Sequence, residues 1–132
     1  MMTGSSNFLL DTNIISALFK GEKTIADRID NADEVYIPVI VLGELYYGAR
    51  YSTNVQKNID NINRLVQTYE VLNSNQETAS IYGEIKASLR KKGKPIPEND
   101  IWIATIAKQY QLTLVTRDRH FNEIDALLTA KW

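Results

Sequence analysis

Four carboxylates in this chain, Asp11, Glu44, Asp100 and Asp118, stand where an acid needs a reason. Asp11 ends NFLLD, in which three apolar residues run straight into the acid. Asp118 lies in LVTRDRHF, Leu114 to Phe121, after a similar apolar start. Glu44 lies in PVIVLGELYYGA. Ile40, Val41, Tyr47 and Gly48 fall on its own helical face, and carboxylates are seldom fully buried unless paired. Asp100 opens DIWIATIA and shares a face with Ile103, Ala104 and Ala107. Singly, each has a plain use: Asp11 as a helix N-cap, Asp118 as a loop acid, Glu44 pointing to water, Asp100 favoured by a helix dipole. Gathered together they would repel, and some would stay protonated. A hard divalent cation resolves that conflict. Mg²⁺ prefers oxygen donors, keeps several waters and usually takes one or two carboxylates directly, leaving the other acids to hold or orient water. Asn13 could hydrogen-bond within such a cluster, and Thr116 offers a hydroxyl beside Asp118. Both also suit plain roles at a helix start and a strand end.

The elements that must position these acids follow from the punctuation. Strands are expected at Phe8 to Leu10, Val35 to Ile37, Val71 to Leu72 (an edge), Leu112 to Thr116 and, last, Leu127 to Thr129. Helices are expected from Thr12 to Leu18 or Lys20, ended by Gly21, and over Lys23 to Asn31. A third begins at Pro38, which suits a first turn, and runs to about Arg50. Val55, Ile59, Ile62, Leu65 and Val66 mark a helix within Asn54 to Tyr69. Gln76 to Lys92 is helical, with Ala79, Tyr82, Ile85, Ala87 and Leu89 as its candidates for burial. After a loop at Gly93 to Pro97, Glu98 to Tyr110 forms another helix, and Phe121 to Ile124 a turn. Strands separated by helices imply a parallel sheet covered on both faces. In open α/β sheets ligands bind outside the carboxyl ends of the strands. Adjacency of the first strand and the Leu112 strand would therefore send Asp11 and Asp118 into one crevice.

The bulk properties narrow the classes. At 132 residues, 44% hydrophobic and 23% charged, the chain fits one globular domain. It has no internal repeat, linker or low-complexity segment. It has no cysteine, which excludes disulfides and thiolate metal sites and fits a reducing compartment such as the cytoplasm. No apolar run approaches the length of a membrane helix, and the opening MMTGSSN does not read as a signal peptide. A net charge of −1 makes no overall case for nucleic acid, so any such case must be local.

LLDTNIISAL, VLGELYYGA, GKPIPENDIWIATIA and LVTRDRHF, in that order along essentially the whole chain, resemble the four signature segments of PIN domains. The wording is nearest to VapC-type toxins of bacterial and archaeal toxin–antitoxin pairs. The resemblance implies a single PIN domain over residues 1–132, with a three-layer α/β/α, Rossmann-like fold and a mostly parallel central sheet. It implies a metal-dependent endoribonuclease in which Asp11, Glu44, Asp100 and Asp118 form the acidic quartet that binds Mg²⁺ or Mn²⁺. Thr116 matches the hydroxyl position before the last acid, and Asn13 the polar position after the first. No acid of the four departs from the pattern. The implied partners are an RNA substrate, a second copy in a homodimer, and a cognate antitoxin whose tail occupies a groove and reaches the acids.

That chemistry agrees with the residues. A carboxylate-held cation polarises a phosphoryl oxygen and lowers the pKa of a bound water, so no histidine base is needed. The single histidine, His120, reads as a loop or helix-start residue outside catalysis. RNA phosphates call for cations. KASLRKKGK supplies Lys92 and Lys94 among others, and Arg117 and Arg119 flank Asp118. The lysines equally suit a solvated helix end. Tyr46, Tyr47 and Tyr51 could stack on bases, although core or interface is the more usual use of such spacing. Phe19, Tyr46 and Tyr47 are candidates for lining a partner groove.

Three other readings compete: a PIN-type RNA-processing nuclease without an antitoxin, an aspartyl-phosphate phosphatase, and a receiver-like α/β module. The phosphatase would want an acid where Asn13 stands, and the receiver leaves Glu44 and Asp100 unexplained.

Overall fold

The computed structural model describes residues 6–132. Residues 1–5, which carry most of the MMTGSSN segment, lie outside them. The chain alternates strands and helices: β1 (Asn7–Leu10), α1 (Thr12–Phe19), α2 (Lys23–Asp30), β2 (Glu34–Pro38), α3 (Val39–Arg50), α4 (Val55–Thr68), β3 (Glu70–Leu72), α5 (Gln76–Lys92), α6 (Glu98–Gln109), β4 (Thr113–Val115) and β5 (Thr129–Ala130). A 3-10 turn at Arg119–Glu123 separates β4 from β5. The strands form one five-stranded sheet in the order β3-β2-β1-β4-β5, and every pairing is parallel. Helices cover it in a three-layer α/β/α arrangement.

β1 is the middle strand, and Leu9 and Leu10 are fully buried, as are Ile37, Leu114 and Val115 on its neighbours. A strand buried on both faces reads as a continuous apolar run rather than an alternation, which is why Phe8, Leu9 and Leu10 run unbroken into Asp11. From β1 the chain builds outward through β2 and β3, then returns to place β4 on the other side of β1. This reversal of direction makes the carboxyl ends of β1 and β4 the switch point where a crevice opens. In register, Leu10 pairs with Val115, so the chain leaves both strands at the same level.

Some expectations shift. Pro38 ends β2 opposite Leu72 and caps α3, instead of sitting in its first turn. Its extended backbone closes the strand, where a missing N–H is tolerated. On α5 the buried face is Thr78, Ile85 and Leu89 with Ile81 and Tyr82 partly covered, while Ala79 and Ala87 are exposed. Alanine gains little from burial, so it does not mark the face. Thr78 can be buried because its hydroxyl is satisfied in a capping box with Asn75. β5 lies at Thr129–Ala130, beyond the expected Leu127 to Thr129, and Leu128 is exposed. Pairing with β4 defines this short edge, not an apolar pattern of its own. Among the described residues, no helix is long and apolar enough to cross a membrane.

Candidate active site

Asp11 emerges where β1 ends. Its backbone N–H donates to the Val115 carbonyl at 3.0 Å, so the strand pairing reaches up to the acid itself. The side chain is 4% exposed. Three donors hold it: the Thr12 N–H on Oδ1 at 2.8 Å, and the Thr116 hydroxyl and the Asn13 amide on Oδ2 at 2.7 and 3.3 Å. The N-cap role expected of Asp11 is therefore real, with the N–H of Thr12 as the capped group. Burial pushes its carboxyl above the usual range. The Thr116 bond opposes that rise, while the charges of Glu44 and Asp118 add to it.

The tip of β4 meets Asp11 from the other side. The Thr116 hydroxyl that donates to Asp11 also accepts from the Asp118 N–H at 3.0 Å. Asn13 Oδ1 accepts from the Arg117 N–H at 3.2 Å. Thr116 and Asn13 thus lace the two strand ends together. In this geometry each holds an acid-bearing segment.

Glu44 comes from α3, which starts directly at the end of β2. Its Oε1 accepts the Thr12 hydroxyl at 2.7 Å, tying α3 to the first turn of α1. Asp100 comes from the first turn of α6, whose Ile103, Ala104 and Ala107 are buried as the face argument required. Burial raises the Asp100 carboxyl as well. A bond from His120 pulls it back, and the charges of Asp11 and Asp118 push it further up. All four acids line one open cleft of about 470 Å³, together with Asn13, Lys20, Glu22 and Arg117.

His120 is the residue that the sequence reasoning set aside. Its Nδ1 lies 3.0 Å from Asp118 Oδ1 and 3.1 Å from Asp100 Oδ2. The bond to Asp100 is the main reason that its imidazole is held above its usual range. A signal existed. Asp118 caps the short turn that follows it and accepts the His120 N–H at 2.9 Å, which folds the next-but-one side chain back toward the acid. Thr12 and Lys20 were also passed over. Thr12 is visible only once α3 is known to pack beside α1.

The basic candidates divide. Arg117 borders the cleft, but its guanidinium is engaged with Glu22 at 2.8 Å and with the Trp132 carbonyl at 3.0 Å. Arg119 is exposed on the far flank of Asp118. Lys92 is not brought to the acids: its Nζ contacts Asp125 at 2.5 Å and the Glu123 carbonyl at 2.9 Å. Lys94 is exposed in the loop before α6 and does not line the cleft. Tyr46 donates to Asn63 at 2.7 Å, whereas Tyr47 and Tyr51 are exposed and lean on each other with centroids 4.9 Å apart.

The donor set fits Mg²⁺ or Mn²⁺. Its carboxylates are hard and anionic, and donor atoms of Asp100, Asp118 and the imidazole of His120 lie within 4.8 Å of one another. Burial drives Asp11 and Asp100 toward their neutral forms, which a cation would reverse.

Comparison with known proteins agrees with this architecture. The PIN domain family profile matches residues 8–127. Ribonuclease VapC2 of Haemophilus influenzae is 38% identical over 128 residues, covering 95% of this chain and 97% of that protein. The tRNA(fMet)-specific endonuclease VapC of Shigella flexneri is 32% identical over the same shares of both chains. Among solved structures, the DNA-bound VapBC of Salmonella typhimurium superposes with a TM-score of 0.89 at 32% identity, covering 96% of this chain and 98% of that one.

Proposed function

This chain belongs to the PIN domain family, among its VapC-type members, and from that membership we propose that it is a divalent-cation-dependent endoribonuclease acting as the toxin of a toxin–antitoxin pair. The observation that carries the reading is the convergence of Asp11, Glu44, Asp100 and Asp118 on one cleft at the switch point of the sheet. Phosphatase and receiver readings would leave Glu44 and Asp100 without a reason to be there.

Asp11, Asp100 and Asp118 would hold the cation, with Glu44 completing the quartet. When bound, Mg²⁺ or Mn²⁺ supplies Lewis-acid polarisation of a phosphoryl oxygen and an acidified water. Glu44 keeps one oxygen on Thr12 and has the other to orient water. Thr116 fixes Asp11 and the Asp118 backbone relative to each other before substrate arrives, which is the preorganisation that electrostatic catalysis needs. Lys20, which lines the cleft, and Arg119, beside Asp118, would meet RNA phosphates. Arg117 braces the site through Glu22 and the C-terminus. Lys92 and Lys94 would touch only RNA that extends well past the cleft.

The inferred partner is an antitoxin, since the Salmonella relative was solved as a VapBC complex. A second groove, of about 350 Å³ and bordered by Leu18, Phe19, Leu65 and Tyr69, suits apolar anchors from such a partner. Homodimerisation and a cytoplasmic site of action belong to the same reading.

The test is cleavage by the purified, antitoxin-free chain. The substrates are tRNA(fMet), suggested by the Shigella relative's name, and a pool of structured RNAs. Each is offered with Mg²⁺, Mn²⁺ or EDTA. Asp11→Asn and Asp100→Asn should each lower metal-dependent cutting by at least about a hundredfold, the scale of losing one electrostatic element of a site. Undiminished cutting by both variants would sink the proposal.

A further inference from the structure

We propose that His120 is a ligand of the cation in this site, through Nδ1, and that its nitrogen tilts the site away from Mg²⁺ toward first-row transition ions such as Mn²⁺. The inference rests on the nuclease reading above.

The backbone brings the ring close to the acids. The His120 N–H donates to Asp118 Oδ1 at 2.9 Å, and the ring lies against the acids. Nδ1 reaches oxygens from two separate elements, Asp118 Oδ1 at 3.0 Å and Asp100 Oδ2 at 3.1 Å. In an octahedral shell with bonds of about 2.1 Å, neighbouring donor atoms stand about 3.0 Å apart. The two observed separations have the length of such edges, so one ion can touch all three atoms with little movement. The side chain is half exposed. Nε2 is thus able to carry the ring proton in water while Nδ1 presents its lone pair.

The donor type gives the consequence. Carboxylate oxygens serve Mg²⁺ and Mn²⁺ alike, but imidazole nitrogen is a characteristic ligand of transition ions, and Mg²⁺ favours oxygen. A quartet of acids alone has little basis for preferring one ion. The same quartet with one nitrogen does.

The competing role is that of a clamp: an N–H that holds Asp100 and Asp118 in place and never touches the ion. His120→Asn separates the two, because its amide can donate from near the Nδ1 position without offering a nitrogen lone pair. His120→Gln serves as a second variant should the first fold poorly. The full chain, stripped of metal, is titrated with Mn²⁺ and with Mg²⁺ by calorimetry, and the Mn²⁺ complex is examined by pulsed electron paramagnetic resonance. The expected results are ¹⁴N modulation in the wild type that disappears in both variants, and a Mn²⁺ affinity reduced at least about tenfold while Mg²⁺ affinity changes much less. Bound Mn²⁺ without ¹⁴N modulation, or unchanged ion preference in His120→Asn, would overturn the ligand role and leave the acidic site standing. A wild-type chain that binds neither ion would overturn both.

Discussion

At the scale of single residues, the site depends on polar groups that serve two masters. Thr116 donates to a buried carboxylate and accepts from the backbone of the next acid. Replacing it with valine keeps the shape but leaves Asp11 Oδ2 short of a donor and the Asp118 N–H short of an acceptor. An unsatisfied buried polar group costs about 1–3 kcal/mol. Thr116→Val should therefore destabilise the metal-free chain by that amount in urea unfolding, and Thr116→Ser should recover most of it. Equal losses in the two variants would mean that the methyl group, not the hydroxyl, matters. Arg117 illustrates the opposite case. Its pair with Glu22 is solvent-exposed, and exposed pairs contribute little to stability, so its value lies in holding Trp132 through the bond to its carbonyl.

At the scale of elements, the acids are delivered by the ends of secondary structure, and what matters is where each element starts. Asp100 depends on α5 stopping in time for α6 to begin again at Glu98. Gly93 ends α5 in the left-handed region at φ 66°, and its N–H bonds back to Arg90 and Leu89. A Cβ there would meet nothing within 4 Å. The cost of Gly93→Ala is thus purely conformational, about 1–2 kcal/mol. The chain should unfold at lower urea, with cleavage per folded molecule unchanged. Cleavage falling together with stability would show that the turn also aims Asp100.

At the scale of the whole molecule, three groups at the cleft make metal-free stability depend on pH above the acid range. The fold raises Asp11 and Asp100 above about 3.8, and His120 above about 6.5. In the windows above those values the folded chain holds more protons than the unfolded chain. The unfolded-minus-folded proton number is negative there, so stability falls as pH rises. Glu22, Glu98 and Asp125 are shifted down. Their contribution is lost only at more acid pH and is already complete in the neutral range. The metal-free melting temperature should accordingly decline between about pH 5 and pH 8. Saturating Mn²⁺ binds the folded state alone and should restore more at the upper end. A flat or rising metal-free profile over that range would contradict the assignment of these shifts.

What the sequence determined by itself was the set of acids and the parallel α/β plan. A run such as FLLD reads as a doubly buried strand that ends on an acid, and the Glu44 and Asp100 segments set acids on otherwise apolar faces. Local pattern is enough for this because burial of apolar side chains and the cost of burying charge act residue by residue. Tertiary structure decided the rest. Strand order put Asp11 beside Thr116 across more than 100 residues of chain. Helix packing gave Glu44 its Thr12 partner. A backbone turn brought the unassigned His120 onto Asp100 and Asp118, while Lys92 was drawn off to Asp125. Contacts of that kind depend on which elements become neighbours and on where long side chains come to rest. Neither is written in the periodicity of any one segment.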